Sequence, residues 1–106
     1  MDSKEKGKRG ELELSHILTL NGFEARRGQQ YCGANGDADV IGIPGFHLEV
    51  KRVEKLNINM AMAQSINDAK PDEIPVVVHR KNRKPWLVTM RLEEWIGMIK
   101  NGSHKD

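Results

Sequence analysis

Hydrophobic residues near the start of the chain recur at three- and four-residue spacing, the period of an amphipathic helix. Leu14, Ile17 and Leu18 form the apolar side of a proline-free stretch from residue 4 to about residue 21. Gly22 follows, where a left-handed residue commonly ends a helix. The pattern predicts a first helix over about 4–21.

The next part of the chain has the pattern of a β-hairpin. We expect residues 23–27 to be extended and the glycine-rich stretch 28–36 to be a mobile loop. Two strands are predicted after it, Ala38–Ile43 and Phe46–Val53, because Pro44-Gly45 between them is a strong turn signal.

The second half of the chain alternates between segments with the hydrophobic pattern of a helix and segments with that of a strand. Apolar residues at helical spacing predict a helix over Asn57–Ala69, before Pro71. The β-branched run Ile74–Val78 is typical of a strand buried on both faces. A strand over Trp86–Met90 and a helix over Arg91–Ile99 follow. The predicted order is α-β-β-β-α-β-β-α, an α/β fold with a central mixed sheet flanked by helices.

Composition limits the classes of protein that this chain can form. Its 106 residues fit a single domain over 1–106, with short flexible ends at about 1–5 and 101–106. No apolar run reaches the roughly 18 residues of a membrane span. Cys32 is the only cysteine, which argues against a disulfide framework or a zinc cluster and favours a reducing, cytoplasmic location. No glycine fingerprint for phosphate binding is present, so no nucleotide cofactor is expected.

Charged residues on the second predicted strand carry the candidate chemistry. Side chains alternate along a strand, so His47, Glu49 and Lys51 share one face. A three-residue turn would pair Asp39 with Lys51 and gather both carboxylates on that face. A two-residue turn would pair Asp39 with Val50 and separate the carboxylates, so one residue of register decides between the two arrangements.

Two carboxylates beside a lysine fit the hydrolysis of a phosphodiester. The carboxylates can bind a hard divalent cation such as Mg²⁺, which polarises the phosphate and activates water. The lysine can orient that water or stabilise developing negative charge. A simpler interpretation remains open, in which Glu49 and Lys51 are solvent-facing residues of a half-exposed strand, since a Glu-x-Lys tripeptide is common.

The wider pattern narrows this choice. Asp39-x9-Glu49-x-Lys51, with the apolar triplet 40–42 after the aspartate, resembles the PD-(D/E)XK nuclease superfamily. Together with Lys6-Gly7-x3-Glu11, the stretch from about residue 6 to 70 resembles the archaeal-type Holliday junction resolvases and their phage relatives. The segments around 75–80 and 86–92 are similar to VRR-NUC-like nucleases.

The resemblance implies a restriction-endonuclease-like core, a role for each motif residue and Mg²⁺ or Mn²⁺ as the cofactor. Asp39, Glu49, the Val50 carbonyl and Glu11, the carboxylate of the first helix, would bind the metal, and Lys51 would be the catalytic lysine. Two positions depart from the family pattern. Ala38 stands where the name-giving proline would be, and the loop has Tyr31 and Cys32-Gly33 instead of a serine followed by glycine.

Two of these assignments have rivals. Glu11 and Glu13 lie on opposite flanks of the apolar stripe of the first helix, so periodicity selects neither, while the resemblance favours Glu11. Asp37 competes with Asp39, but the apolar triplet follows only Asp39. His47 is a further candidate, because it shares the face of Glu49 and Lys51.

The net charge of +2 is a weak argument for nucleic acid, but the basic residues are clustered. The predicted DNA-binding residues are Arg26, Arg27, Arg52, Lys55, Arg80, Lys81, Arg83 and Lys84. No acidic residue lies between Ile74 and Leu92. Phosphate contacts of this kind position DNA without reading its sequence, although residues 81–84 are also typical of a soluble turn.

The leading prediction is a metal-dependent endonuclease for branched DNA, a Holliday junction resolvase. Two opposed nicks in a nearly two-fold symmetric junction require two active sites, so we expect a homodimer. One alternative is a VRR-NUC-like or restriction-type nuclease for flaps, single strands or duplex DNA. Another is a DNA-binding module that does not cleave. The expected location is the nucleoid of a bacterial or phage-infected cell.

Overall fold

The computed structural model describes residues 3–28 and 38–102. Its helices are α1 (Ser3–Leu20), α2 (Ile58–Asp68) and α3 (Leu92–Gly102). Its strands are β1 (Arg26–Arg27), β2 (Val40–Ile41), β3 (Phe46–Arg52), β4 (Ile74–Arg80) and β5 (Leu87–Met90). The predicted order of helices and strands is confirmed, as is the α/β class with a mixed sheet.

The five strands lie in the order β1-β2-β3-β4-β5. The central pair, β3 and β4, is parallel and is connected through α2, while the other neighbours are antiparallel. Lys51 lies opposite His79, and Arg52 lies opposite Arg80. The carboxyl ends of the two central strands therefore meet at one edge of the sheet, and this edge carries basic side chains.

The helices α1 and α2 cover opposite faces of the sheet. Leu14 of α1 joins a buried cluster with alternate residues of the central strands, namely Val40, Leu48, Val50, Val76 and Val78. On the other face Ser65 of α2 is fully buried and its Oγ donates a hydrogen bond to the Val76 carbonyl at 3.0 Å. Pro75–Val78 are all buried, which confirms the prediction that this strand is covered on both faces.

β1 and β2 are shorter than the predicted strands, because the chain there makes a close crossing. Gly42 has φ +106°, and a Cβ at this position would lie 2.1 Å from the Glu24 carbonyl oxygen. Only a glycine fits this approach. The predicted loop falls largely on residues 29–37, which lie outside the described residues. This range includes Tyr31, Cys32 and Asp37, so the predictions about these three residues lie outside the described part of the chain as well.

The last helix differs from the other two in its burial. None of the residues of α3 is buried. Leu92, Trp95, Ile96 and Ile99, named here the α3 stripe, are spaced to lie on one side of the helix and are all exposed. Within the described residues, no helix has both the length and the apolar character required to cross a bilayer.

Candidate functional site

The charged face of β3 is buried under α2 at the centre of the sheet. His47 and Glu49 are only 3% and 4% exposed. The Oε2 atom of Glu49 lies 3.8 Å from Lys51 Nζ, and its Oε1 atom lies 3.9 Å from His47 Nε2. Burying a carboxylate is costly unless a partner compensates its charge, so this position requires a functional explanation.

Asp39 reaches Glu49 through a strand register that differs from both registers considered from the sequence. Val40 lies opposite Leu48, two positions from the register that would pair Asp39 with Lys51. The turn itself is tight, since the Phe46 N–H donates to the Ile43 carbonyl at 3.2 Å. Asp39 therefore pairs neither with Lys51, as a three-residue turn would give, nor with Val50, as a two-residue turn alone would give.

An extra residue in the first strand explains why the carboxylates still meet. Between the turn and the Val40–Leu48 pair, Ile41 and Gly42 stand opposite the single residue His47, as in a β-bulge. This extra residue reverses the effect of the two-residue turn on side-chain direction. Asp39 consequently approaches Glu49, and its Oδ2 accepts a hydrogen bond of 2.8 Å from the Val50 N–H.

The first helix adds a third carboxylate to the same place. Gly10 allows α1 to approach β3, because a Cβ there would lie 2.9 Å from Arg52 Cβ. Glu11 thereby reaches a cleft of about 500 Å³ that also receives Asp39, Glu49 and Lys51. We name it the α1–β3 cleft; its lining residues are Lys6, Gly7, Lys8, Glu11, Arg27, Asp39, Glu49, Val50, Lys51, Arg52, Val53 and Gln64.

The surroundings of this cleft disfavour the ionised forms of Glu49 and Glu11 and raise the pKa of both carboxyl groups. Burial, the negative charge of Asp39 and a hydrogen bond with its side chain raise the pKa of Glu49 to about 8, against the opposing effect of Lys51. Burial also raises the pKa of Glu11, although the hydrogen bond from Arg27 Nε, at 2.9 Å, acts in the opposite direction. A bound divalent cation would favour the ionised form of each group.

The structure distinguishes Glu11 from Glu13. Glu13 points away from the cleft, accepts a hydrogen bond of 2.8 Å from Trp86 Nε1 and forms an ion pair with Arg80. Arg52 Nε lies 3.7 Å from its other oxygen. Glu13 thus connects α1 to the central strands, while Glu11 faces Asp39 and Lys51.

The predicted DNA-binding residues do not share one surface. Arg27 and Arg52 line the α1–β3 cleft, whereas Arg26 lines a different cleft beside β2. Four residues lie near the carboxyl ends of β3 and β4, where they line a groove: Lys55, Arg80, Lys81 and Lys84. Arg83 lies next to this groove with Arg52 and Arg80. Six of the eight predicted residues therefore lie along one sheet edge.

Sequence reasoning assigned no site role to three residues of the α1–β3 cleft, although one of them, Lys6, belongs to the motif that carries the resemblance. Lys6 and Lys8 lie on α1 and line the cleft with Glu11. The spacing of Lys8 to Glu11 was a usable signal, because residues three or four positions apart are neighbours on the surface of a helix. Gln64 comes from α2, and only the tertiary packing brings this amide to the carboxylates.

The described residues also contain a second group of side chains that could hold a metal ion. This group shares only Glu49 with the predicted ligands. One ligand atom each of His47, Glu49 and Asp68 lies within 4.8 Å of the others. Glu49 belongs to both sets, whereas Asp68, at the end of α2, was not predicted. No pattern in the sequence pairs Asp68 with His47, because their proximity depends on how α2 crosses the sheet.

Comparisons with protein-family models, curated proteins and solved structures find no match for this chain.

Proposed function

We propose that this protein is a divalent-cation-dependent endonuclease for branched DNA, in particular a Holliday junction resolvase. The observation that carries the proposal is the convergence of Glu11, Asp39 and Glu49 beside Lys51 in one cleft. Glu11 lies on α1, Asp39 directly precedes β2, and Glu49 and Lys51 lie on β3. Buried carboxylates with raised pKa values in a cleft are typical of functional sites.

Asp39 and Glu49 are the residues that would hold the cation. Their side chains are in contact, and without a cation their mutual repulsion is relieved by a proton on Glu49, whose pKa is about 8. Such a pair fits Mg²⁺ or Mn²⁺, which bind carboxylate oxygens. When bound, the cation polarises the scissile phosphate and lowers the pKa of its water.

The other residues of the cleft have separate roles in the proposal. Lys51 Nζ, 3.8 Å from Glu49, holds a fixed positive charge where negative charge develops on the phosphate. Arg27 restrains Glu11 through its 2.9 Å contact. Lys6, Lys8 and Arg52 surround the carboxylates with positive charge, so a DNA backbone can approach an acidic centre.

A second copy of the chain would supply the second active site, in contact through the α3 stripe. The stripe is apolar and unburied, with Leu92 66% and Trp95 51% exposed. Packing two α3 helices antiparallel about a two-fold axis would cover both stripes with the same surface. Glu93 and Lys100, near opposite ends of one flank, would then face each other across the interface.

The decisive experiment is cleavage of a substrate panel with Mg²⁺ and with EDTA. The panel contains a four-way junction, a Y-fork, a flap, linear duplex and single-stranded DNA of shared sequence. We expect paired, symmetric nicks in the junction with Mg²⁺ only, and loss of these nicks in Asp39→Asn. Asp72→Asn is the matched control, because Asp72 is an exposed carboxylate between α2 and β4.

The other outcomes separate the alternatives. Cutting of linear duplex or flaps at the same rate as the junction would reject the resolvase and leave a nuclease of VRR-NUC-like or restriction type. Junction binding without any cleavage would favour a non-cleaving DNA-binding module. Cleavage that survives Asp39→Asn would reject the proposed site itself.

A further inference from the structure

Glu49 faces a second group of potential ligands on the side away from Lys51. Its Oε1 atom lies 3.9 Å from His47 Nε2, and Asp68 places a carboxylate oxygen within 4.8 Å of both residues. Ligands held about 2.1 Å from one ion stand roughly 3–4 Å apart. Small side-chain movements would bring the three groups to that separation.

The imidazole of His47 has a buried nitrogen close to the other two groups. Its side chain is 4% exposed, and Nε2 is buried without a hydrogen-bond partner. The other ring nitrogen, Nδ1, lies 3.7 Å from Glu73 Oε1. This distance is too long for a hydrogen bond, but a small movement of Glu73 would form one, and a carboxylate that accepts a hydrogen bond from one ring nitrogen leaves the other nitrogen free to bind an ion. A buried polar atom with no partner is costly, and a cation between His47 and Asp68 would supply the missing partner.

The two ligand groups open to different sides of the molecule. His47 and Asp68 line the cleft beside β2, a space of about 500 Å³ that also contains Glu73 and Lys70. Asp39 and Lys51 instead line the α1–β3 cleft, where Glu49 is also found. A cation could therefore reach His47 and Asp68 without passing the proposed catalytic position.

We propose that His47, Glu49 and Asp68 form a second divalent-cation site, with Glu49 bridging it to the Asp39 position. Its ligand set of one imidazole and two carboxylates favours a transition-metal ion over Mg²⁺, which prefers oxygen alone. The imidazole suits Zn²⁺ and the two carboxylates suit Mn²⁺, which also serves as a spectroscopic probe of the site. The Asp39 position rests on the proposed function, but the His47 site is defined by its own side chains.

Counting bound Mn²⁺ tests this site without reference to cleavage. The metal-free full chain is titrated with Mn²⁺, and free Mn²⁺ is measured by electron paramagnetic resonance, with and without excess Mg²⁺. We expect two bound Mn²⁺ ions per chain, of which Mg²⁺ displaces one. Asp68→Asn should remove the Mg²⁺-resistant ion, while the exposed control Asp72→Asn should retain both.

Two further variants separate this proposal from the proposed function. Asp39→Asn should remove only the Mg²⁺-sensitive ion, and Glu73→Gln should weaken the Mg²⁺-resistant ion by about 10–100-fold. Circular dichroism in EDTA checks that each variant is folded. A Mg²⁺-resistant ion that survives Asp68→Asn in a folded chain, or its absence from the wild type, would overturn the second site. A wild-type chain that binds only the Mg²⁺-resistant ion would instead count against the proposed catalytic position and support the His47 site.

Discussion

At the centre of the sheet the chain buries charge, and on α3 it exposes apolar surface. Glu49 on β3 has a side chain only 5% exposed and lies next to a second carboxylate. On α3, Leu92 is 66% exposed and none of the residues of the helix is buried. Each region departs from the usual distribution of polar and apolar residues, in opposite directions.

The difference indicates what kind of partner each region lacks. A buried carboxylate pair is stabilised by positive charge, so the α1–β3 cleft fits a cation and a phosphate backbone. An exposed apolar stripe is stabilised by covering it with another apolar surface, so α3 fits a protein surface. Local departures from stable design are expected at functional sites, and the predictions below test whether both regions follow this rule.

The largest effect is expected from Asp39→Asn. We expect cleavage to fall by about 10²–10³-fold or more, because the variant removes charge from the cation position. In EDTA at a pH above the Glu49 pKa of about 8, where both carboxylates are ionised, the same variant should raise the melting temperature, since it removes the charge that repels Glu49. A stabilisation of about 1 kcal/mol corresponds to about 4–8 °C for a small domain. Cleavage assays and thermal unfolding give the two readings.

Asp39→Asn is informative because the two readings move in opposite directions. The asparagine can still accept the Val50 N–H hydrogen bond, so the β2–β3 connection is preserved. Asp72→Asn should change neither quantity. A variant that loses stability along with cleavage would mean that Asp39 has a structural role and that the centre of the sheet carries no functional strain.

The second-largest effect is expected for a substitution in the α3 stripe. We expect Trp95→Ala to raise the dimer dissociation constant about 30-fold, or about 2 kcal/mol, as for a central aromatic residue of an interface. Sedimentation velocity over a range of concentrations measures this constant. Leu20→Ala is the matched control, because Leu20 is 73% exposed and lies on α1, outside the α3 stripe.

The two regions should respond independently to these substitutions. Trp95→Ala should leave cation binding unchanged, and Asp39→Asn should leave the dimer unchanged. A wild-type chain that remains monomeric at high concentration would show that α3 is covered by another partner or by none.

The sequence allowed the order of elements to be predicted, because each element has a strong local period. The continuous run Ile74–Val78 and the glycines near the turns are examples of such local signals. Neither pairing considered for Asp39 is formed, because an extra residue shifts the register next to Gly42, which lies in close contact with Glu24, 18 positions away. Local periodicity does not contain that contact.

The site was predictable only where local signals or the resemblance reached it. Glu49 and Lys51 follow from strand alternation, and the choice of Glu11 came from the resemblance. His47 was noted for its face on the strand, whereas Asp68 and Gln64 depend on the placement of α2 over β3. The exposure of α3 was equally hidden, because an amphipathic pattern indicates an apolar side without showing what covers it.

A third prediction uses pH to measure the charge buried at the centre. Burial and Asp39 raise the pKa of Glu49 from 4.5 to about 8, with Asp68 acting in the same direction, while Lys51 opposes them. His47 also faces this carboxyl, at 3.9 Å. Between these pH values the folded chain holds a proton that the unfolded chain has released. Stability in EDTA should therefore fall as pH rises from about 5 to 8, by at most about tenfold in the folding constant per pH unit.

The control for the pH effect is Glu49→Gln, which removes the titrating group. The difference in unfolding free energy between wild type and variant, measured by urea denaturation at each pH, should shrink as pH falls toward 5. Saturating Mg²⁺ should flatten the wild-type curve by compensating the ionised pair. Equal slopes for the wild type and Glu49→Gln in EDTA would show that Glu49 does not hold its proton in the folded chain.

The smallest effect distinguishes the two carboxylates of α1, of which only Glu11 lies in the α1–β3 cleft. Glu13 has a 33% exposed side chain that joins Trp86 and Arg80, so Glu13→Gln should cost about 1 kcal/mol of stability and leave cleavage within about twofold. Glu11→Gln should reduce cleavage and change stability less, because Glu11 lies in the cleft with a raised pKa. Thermal unfolding and cleavage of a four-way junction measure both variants under the same conditions. The reverse pattern would assign the catalytic role to Glu13 and would mean that α1 presents its other flank to the cation, since the two residues lie on opposite flanks of this helix.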